Sequence, residues 1–317
     1  MRPVRLLLAC VVSLLLYAVA FGVVLDRPLS HGFLLDRLEA KLARGAAIEG
    51  RKLVILAGSN GPYSHRCEAI EPILGLPCVN AGVAVGIGLD YLFARWMPLL
   101  RAGDIVYLPL EQAQYTRPRT ETMLGPDAAM MARHDRATLL RLSPDRWAGA
   151  LFAFDARALV MSVLEMALTA AGFVDPRSAV TGEMNDWGDQ IGHTPARARA
   201  SAELLARARP AHRPSHAIEA GEGSAEIRRF VAWAVASGIT VLGGFPTGFV
   251  DLPIPPDTAE AIRGIYRLHG TSVAFLELPN QARYPRTWFF DTPDHLHEDA
   301  QRLHSRLVAE AMIGAIR

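Results

Sequence analysis

The sequence predicts a doubly wound α/β fold behind one N-terminal transmembrane helix, and three observations carry that reading. Five short apolar runs are continuous rather than alternating, as strands buried on both faces of a parallel sheet are. Helix-patterned segments separate several of them, which is the rhythm of βαβ crossovers. The chain begins MRPVR and continues with twenty uncharged residues, Leu6 to Leu25, a length that crosses a bilayer as a helix.

Taken in order, Arg2 and Arg5 precede the apolar run, and cationic flanks tend to stay on the cytoplasmic side. The remainder is therefore expected outside the cytoplasm, in the periplasm or beyond. Ala18-Val19-Ala20 also fits a small-x-small cleavage site, so secretion after signal cleavage is the alternative. The apolar stretch runs five residues past that site, which favours the uncleaved anchor. Residues 26–50 read as a short amphipathic linker helix. Strands follow at 53–58 (LVILAG), 77–82 (PCVNAG), 104–110 (DIVYLPL), 239–246 (ITVLGGFP) and 272–279 (SVAFLELP). Between them, GLDYLFARWMPLLRAG and SAEIRRFVAWAVASG are helix-patterned, and the second closes on Gly238, which can take a left-handed C-cap. The interval from Gln114 to about Glu222 is too long for a plain crossover and predicts a helical insertion, about 115–222, over one edge of the sheet. Its apolar run at 150–173 holds Asp155, Arg157 and Glu165, which argues against a second membrane span.

Lys plus Arg is 33 and Asp plus Glu is 32, so no global field favours nucleic acid or an anionic surface, and local sites must carry the function. The 317 residues, half of them hydrophobic, suffice for one elaborated domain over 51–317. Cys10 lies in the apolar helix, whereas Cys67 and Cys78 are either a disulfide in an oxidising compartment or two small buried side chains. No C-x-x-C or His/Cys cluster has zinc-ligand spacing, and neither metal nor cofactor is expected.

Three strand ends carry candidate chemistry. Gly58-Ser59-Asn60 follows the first strand, Asn80-Ala81-Gly82 the second, and Asp291-Thr-Pro-Asp294-His295-Leu-His297 comes near the C-terminus. In a parallel sheet with right-handed crossovers the C-terminal strand ends share one edge, so these segments can meet. Together they supply acyl transfer: a serine nucleophile, a histidine base, an aspartate to orient it, and backbone N–H groups of Ser59 and Gly82 for the oxyanion. Alone, a serine such as Ser59 after a strand is more often a helix N-cap than a nucleophile. GVAVGIG at 82–88 lacks the G-x-G-x-x-G spacing of a dinucleotide loop. Asn185 to Asp189, with His193, reads as a turn-rich loop or as a contact to substrate or a cation.

At these residues the chain resembles the SGNH/GDSL hydrolase family. That family runs, in order, a Ser after the first strand, a Gly after the second, an Asn after the third, and an Asp/His pair near the C-terminus. The resemblance covers most of 50–317 apart from the insertion, and implies a flavodoxin-like three-layer α/β/α sandwich. It implies Ser59 as nucleophile, Ser59 and Gly82 as oxyanion donors, His295 as base and Asp291 as its orienter. Asn80 is the usual residue two before that glycine. Asp294 with His297 matches the strict Asp-x-x-His spacing and is the competing pair. In the third block the chain departs: Leu108-Pro109-Leu110-Glu111-Gln112 stands where Gly-x-Asn-Asp is usual. Gln112 then substitutes, Glu111 stays protonated or has another role, or the hole has two donors, because an ionised Glu111 cannot donate. Phe-Phe-Asp-Thr-Pro-x-His-Leu is similar to a variant in anchored, exopolysaccharide-associated relatives. The resemblance thus implies an esterase on O-acetyl groups of a carbohydrate or cell-envelope substrate. The alternatives are an O-acyltransferase with the same triad, or a non-catalytic glycan-binding protein with polysaccharide-biosynthesis partners.

Overall fold

The computed structural model describes residues 2–25, 31–124, 126–152, 156–173, 183–267 and 273–316. Two compact units form. One comprises Met1–Leu35 with Arg119–Ser178, the other Asp36–Pro118 with Ala179–Arg317. The stretch read as one insertion therefore divides, its first part belonging to the first unit and the rest to the second.

In the first unit, helix α1 (Arg2–Leu25) is long and apolar enough to cross a membrane. It packs against the helices Ala156–Ala170 and Pro126–His134. In the second unit, α2 extends over His31–Ala47, of which residues from Asp36 onward belong here; residues 26–30 of the expected linker lie outside the described residues. Its inward face is Leu38 and Leu42, with Gly45 lying flat on the Trp96 ring.

The sheet is made by β1 (Leu53–Ile55), β2 (Cys78–Asn80), β3 (Ile105–Leu108), β4 (Thr240–Gly244) and β6 (Val273–Leu276), in the order β2-β1-β3-β4-β6 with every pair parallel. Ser272, the start of the last predicted run, lies outside the described residues. A parallel pair β5 (Gly248–Phe249) and β7 (Arg283–Tyr284) stands apart. The mainly parallel α/β sheet read from the apolar runs is thus present. Strand alternation sends Leu53, Ile55, Ile105, Tyr107 and Leu242 to one face, in one core with Cys67 and Ile70 of α4 (Cys67–Leu74) and Val308 and Met312 of the final helix, Glu298–Ala315. Their neighbours Val54, Val106 and Val241 are equally buried and point the other way. There α5 (Leu89–Trp96) packs on the helix Glu222–Ala236, which packs on β4, and Pro256–Arg267 packs on β6. Helices on both faces make the architecture compatible with an α/β/α sandwich. Gly238 ends Glu222–Ala236 at φ +73°.

Cys67 and Cys78 are disulfide-bonded, which settles the two readings of that pair. The bond pins the first turn of α4 to β2, the edge strand. Beside that edge, the Asn80 N–H donates to the Trp187 carbonyl (2.8 Å). In this order β1 is the strand from which the chain goes to β2 on one side and β3 on the other. The crevice beyond the carboxyl ends of β1 and β3 is where such folds bind ligands.

Candidate active site

That crevice is closed by α3 (Asn60–Ser64), a five-residue helix whose every residue is buried. Ser59 precedes it at φ −65°, ψ −24°, and its side chain makes no capping bond. The hydroxyl goes elsewhere: Oγ lies 2.8 Å from His295 Nε2, and His295 Nδ1 lies 2.7 Å from Asp291 Oδ1. The pairing selects the tautomer in which Nδ1–H donates to the aspartate and Nε2 accepts from the serine. The Ser59 side chain thus bonds to His295 and does not cap α3. Asp294 is not the partner of His295 Nδ1; its backbone carbonyl accepts from Ser64 Oγ (2.8 Å) and Thr247 Oγ1 (2.9 Å), which ties the histidine loop to α3. The loop is fixed further by Phe290 N–H on the His295 carbonyl (2.8 Å) and His297 N–H on the Trp288 carbonyl (2.9 Å). Leu296 is fully buried, and His297 caps the final helix by accepting from Ala300 N–H (3.2 Å).

His295 is held flat by Tyr63, whose ring stacks on the imidazole at 4.1 Å between centroids and 10° between planes. Burial alone would lower the imidazole pKa. The hydrogen bond and charge of Asp291, with Glu111 and Asp294, reverse that and raise it above the usual histidine value. His193 stands edge-on to Tyr63, and burial drops its own pKa to about 3, so it stays neutral.

Glycines set the other wall. A Cβ on Gly82 would meet the Gly58 carbonyl at 2.6 Å and Gly61 Cα at 3.0 Å, so the loops after β1 and β2 are in backbone contact. Neither Ser59 N–H nor Gly82 N–H has an acceptor among the described residues, leaving both available to an oxyanion. Asn80 is a clamp rather than a donor to the site: its Nδ2 reaches the carbonyls of Gly61 (3.0 Å) and His65 (2.9 Å) and Asp189 Oδ1 (3.0 Å). Asp189 is fully buried and also takes the N–H groups of Cys67 and Glu68, so the 185–189 loop is a structural brace. Asn185 Oδ1 accepts from Trp187 N–H and Asp189 N–H, the side-chain-to-backbone pattern of a turn.

The third block resolves differently for its two members. Gln112 is spent on the chain: its Oε1 accepts from Arg213 N–H (2.8 Å) and its Nε2 contacts His212 Nδ1 (3.0 Å). It does not replace the asparagine. Glu111 faces Ser59, with Oε1 accepting from Asn60 N–H (3.3 Å) and the carboxyl beside the Ser59 hydroxyl. A capping box with Gln114 starts α6 (Gln112–Thr116), and Gln114 Oε1 also takes the Gly58 N–H (3.1 Å). Burial, then the charge of Asp294, pushes the Glu111 carboxyl up to about 7, against the pull of His295, Asn60 N–H and Ser59. Burial raises Asp294 as well. Beside them a cavity of about 150 Å³ is lined by Glu111, Asp294, Thr247, Arg283, His212 and Phe249 among others.

Residues the motif reading passed over include Asn60, Gln114, Tyr63 and, least expected, Lys41. Lys41 is 1% exposed, and its ammonium donates to the Gly82 carbonyl from α2. Burial, then the Arg37 charge, lowers its pKa to about 7. Arg37 and Lys41 sit at i and i+4, a like-charge pair that costs stability on a solvated helix. That spacing was the available signal.

No family model matches the chain, and no curated protein matches it significantly.

Proposed function

We propose that the chain is a membrane-anchored serine esterase of the SGNH type, acting outside the cytoplasm on ester groups, foremost O-acetyl, of a carbohydrate or cell-envelope substrate. The single observation that carries the proposal is the unbroken line Asp291–His295–Ser59, at 2.7 and 2.8 Å, beside two N–H groups without acceptors. The strand order β2-β1-β3-β4-β6 is the flavodoxin-like doubly wound order and supports the SGNH type. Arg2 and Arg5 at the N-terminal end of α1, and a disulfide at Cys67–Cys78, support an anchored domain in an oxidising compartment. The cavity, lined by carboxyl, hydroxyl and guanidinium groups together with Phe249, suits a polyhydroxylated ligand.

Ser59 Oγ attacks the ester carbonyl while His295 Nε2 takes its proton, and Asp291 stabilises the imidazolium. Ser59 N–H and Gly82 N–H receive the oxyanion. Collapse expels the sugar oxygen, which leaves with the His295 proton, and an acyl-Ser59 remains. Water, or a second sugar hydroxyl, then gives its proton to His295 and attacks the acyl group, and His295 returns that proton to the departing Ser59 Oγ; the first outcome is hydrolysis, the second transfer. Purified full-length protein in detergent should release nitrophenol from short-chain nitrophenyl esters, and a fluorophosphonate probe should label Ser59. Absence of both sinks the esterase reading; labelling that survives Ser59→Ala sinks the site assignment.

A further inference from the structure

The helix Ala156–Ala170 is inverted for a water-soluble protein. Its buried side chains are Ser162 and Glu165, three positions apart on one face, while Val160, Met161, Val163, Leu164 and Met166 are 40–65% exposed. A helix packing in water does the reverse, burying its apolar stripe and exposing its polar one. The hydroxyls are satisfied within the helix: Ser162 Oγ donates to the Ala158 carbonyl (2.8 Å) and Thr169 Oγ1 to the Glu165 carbonyl (2.8 Å). Hydroxyls that return to their own helix need no water. The same exposed apolar character extends to Leu151, Phe152 and Phe173 on either side.

The neighbour of this helix says what covers it. It packs against α1, whose own leucines and valines from Val4 to Val19 are 45–69% exposed, and Tyr17 of α1 donates to the Leu151 carbonyl and contacts the Phe152 ring. A helix packed against one long and apolar enough to cross a membrane, and apolar on its own outward face, is continuous with the lipid-facing surface of that helix. We infer that Ala156–Ala170 is a second membrane element, embedded beside α1 with Val160, Val163 and Met166 in hydrocarbon. Fifteen residues rise about 22 Å, short of the roughly 30 Å core, so the helix enters the bilayer without crossing it. Polar side chains turned inward and apolar ones outward are the arrangement hydrocarbon selects.

The inference rests on α1 being an anchor, and the experiment separates the two. Full-length protein in phosphatidylcholine/phosphatidylglycerol nanodiscs is probed through native Cys10 in α1. In Cys10→Ser backgrounds it is probed through a thiol placed by Val163→Cys, and through an aqueous control placed by Glu203→Cys. Both membrane positions should react with an impermeant maleimide at least roughly tenfold more slowly than the control, and a fluorophore at 163 should be quenched by doxyl-labelled lipid. A thiol at 163 that reacts as fast as the control while Cys10 is protected overturns the inference and leaves the anchor. Protection at 163 without lipid quenching means protein covers the face, and also overturns it. Fast reaction at both overturns the anchor, and the inference with it.

Discussion

At the residue scale, the behaviour of the site is set by how many charges surround one imidazole. Asp291→Asn keeps the shape but reverses the tautomer, so kcat should fall by about 10⁴-fold with KM little changed, as steady-state kinetics on a nitrophenyl ester would show. Glu111 is the more diagnostic position. With its carboxyl at about 7 it is neutral below that pH and charged above it, and a carboxylate about 4 Å from a developing oxyanion opposes it by ~4 kcal/mol at a surface-like dielectric. Activity should therefore be down about tenfold from its maximum by pH 8, one unit above that pKa, and Glu111→Gln should abolish the alkaline fall. An unchanged profile in Glu111→Gln would rule out that role. Lys41 offers a test through stability. Its folded pKa, about 7, lies below the unfolded value, so above pH 7 the unfolded chain holds a proton that the folded one sheds. Between pH 7 and about 10 this group alone makes stability rise with pH, by up to about 1.4 kcal/mol per unit. Lys41→Met should flatten that slope in urea titrations repeated across the range.

At the element scale, short pieces hold the site, and each is held by something distant in sequence. The helix α3 has five residues, yet Asn60 Nδ2 ties it to the Pro109 carbonyl, Asn80 to β2, Ser64 to the histidine loop, and Gln301 of the final helix to the Pro62 carbonyl. The disulfide joins α4 to the strand that carries Asn80. Replacing both Cys67 and Cys78 by Ala should cost about 2–4 kcal/mol, read from denaturant midpoints, through an eleven-residue separation. An unmoved midpoint would mean that the buried asparagine and aspartate braces suffice alone. These ties also explain what was legible beforehand. The strands could be read because continuous apolar runs have few other uses, and the order Ser59, Gly82, His295 could be read because parallel strands share a carboxyl edge. Asp291 and Asp294 stood as competitors on spacing alone, and only the tertiary pairing with His295 Nδ1 distinguishes them. Gln112 and Glu111 could not be told apart, because one residue of rotation at the start of α6 decides which faces Ser59. Lys41 was signalled only by its spacing from Arg37, because a lysine on an amphipathic helix is ordinarily solvated and only the tertiary fold supplies the carbonyl it meets.

At the scale of the whole molecule, the chain is threaded twice through the same two units, since residues 1–35 and 119–178 make one and the intervening and following segments the other. A chain with α1 in the bilayer should stay in the membrane pellet after alkaline carbonate washing; recovery in the supernatant would contradict the anchor. The sequence could not show that 119–178 clusters with α1, because a helical pattern records which face is apolar and not what lies against it. The interruption also has a consequence in time. Strand β3 ends at Leu108, and its partner β4 begins at Thr240, 132 positions later (240 − 108). At synthesis rates of about 5–20 residues per second, a nascent chain carries β3 with one open edge for roughly 7–26 s before its neighbour exists. An unpaired apolar edge is a template for wrong pairing. Overproduction should accordingly yield aggregates seeded at Ile105–Leu108, more readily than the finished surface would suggest.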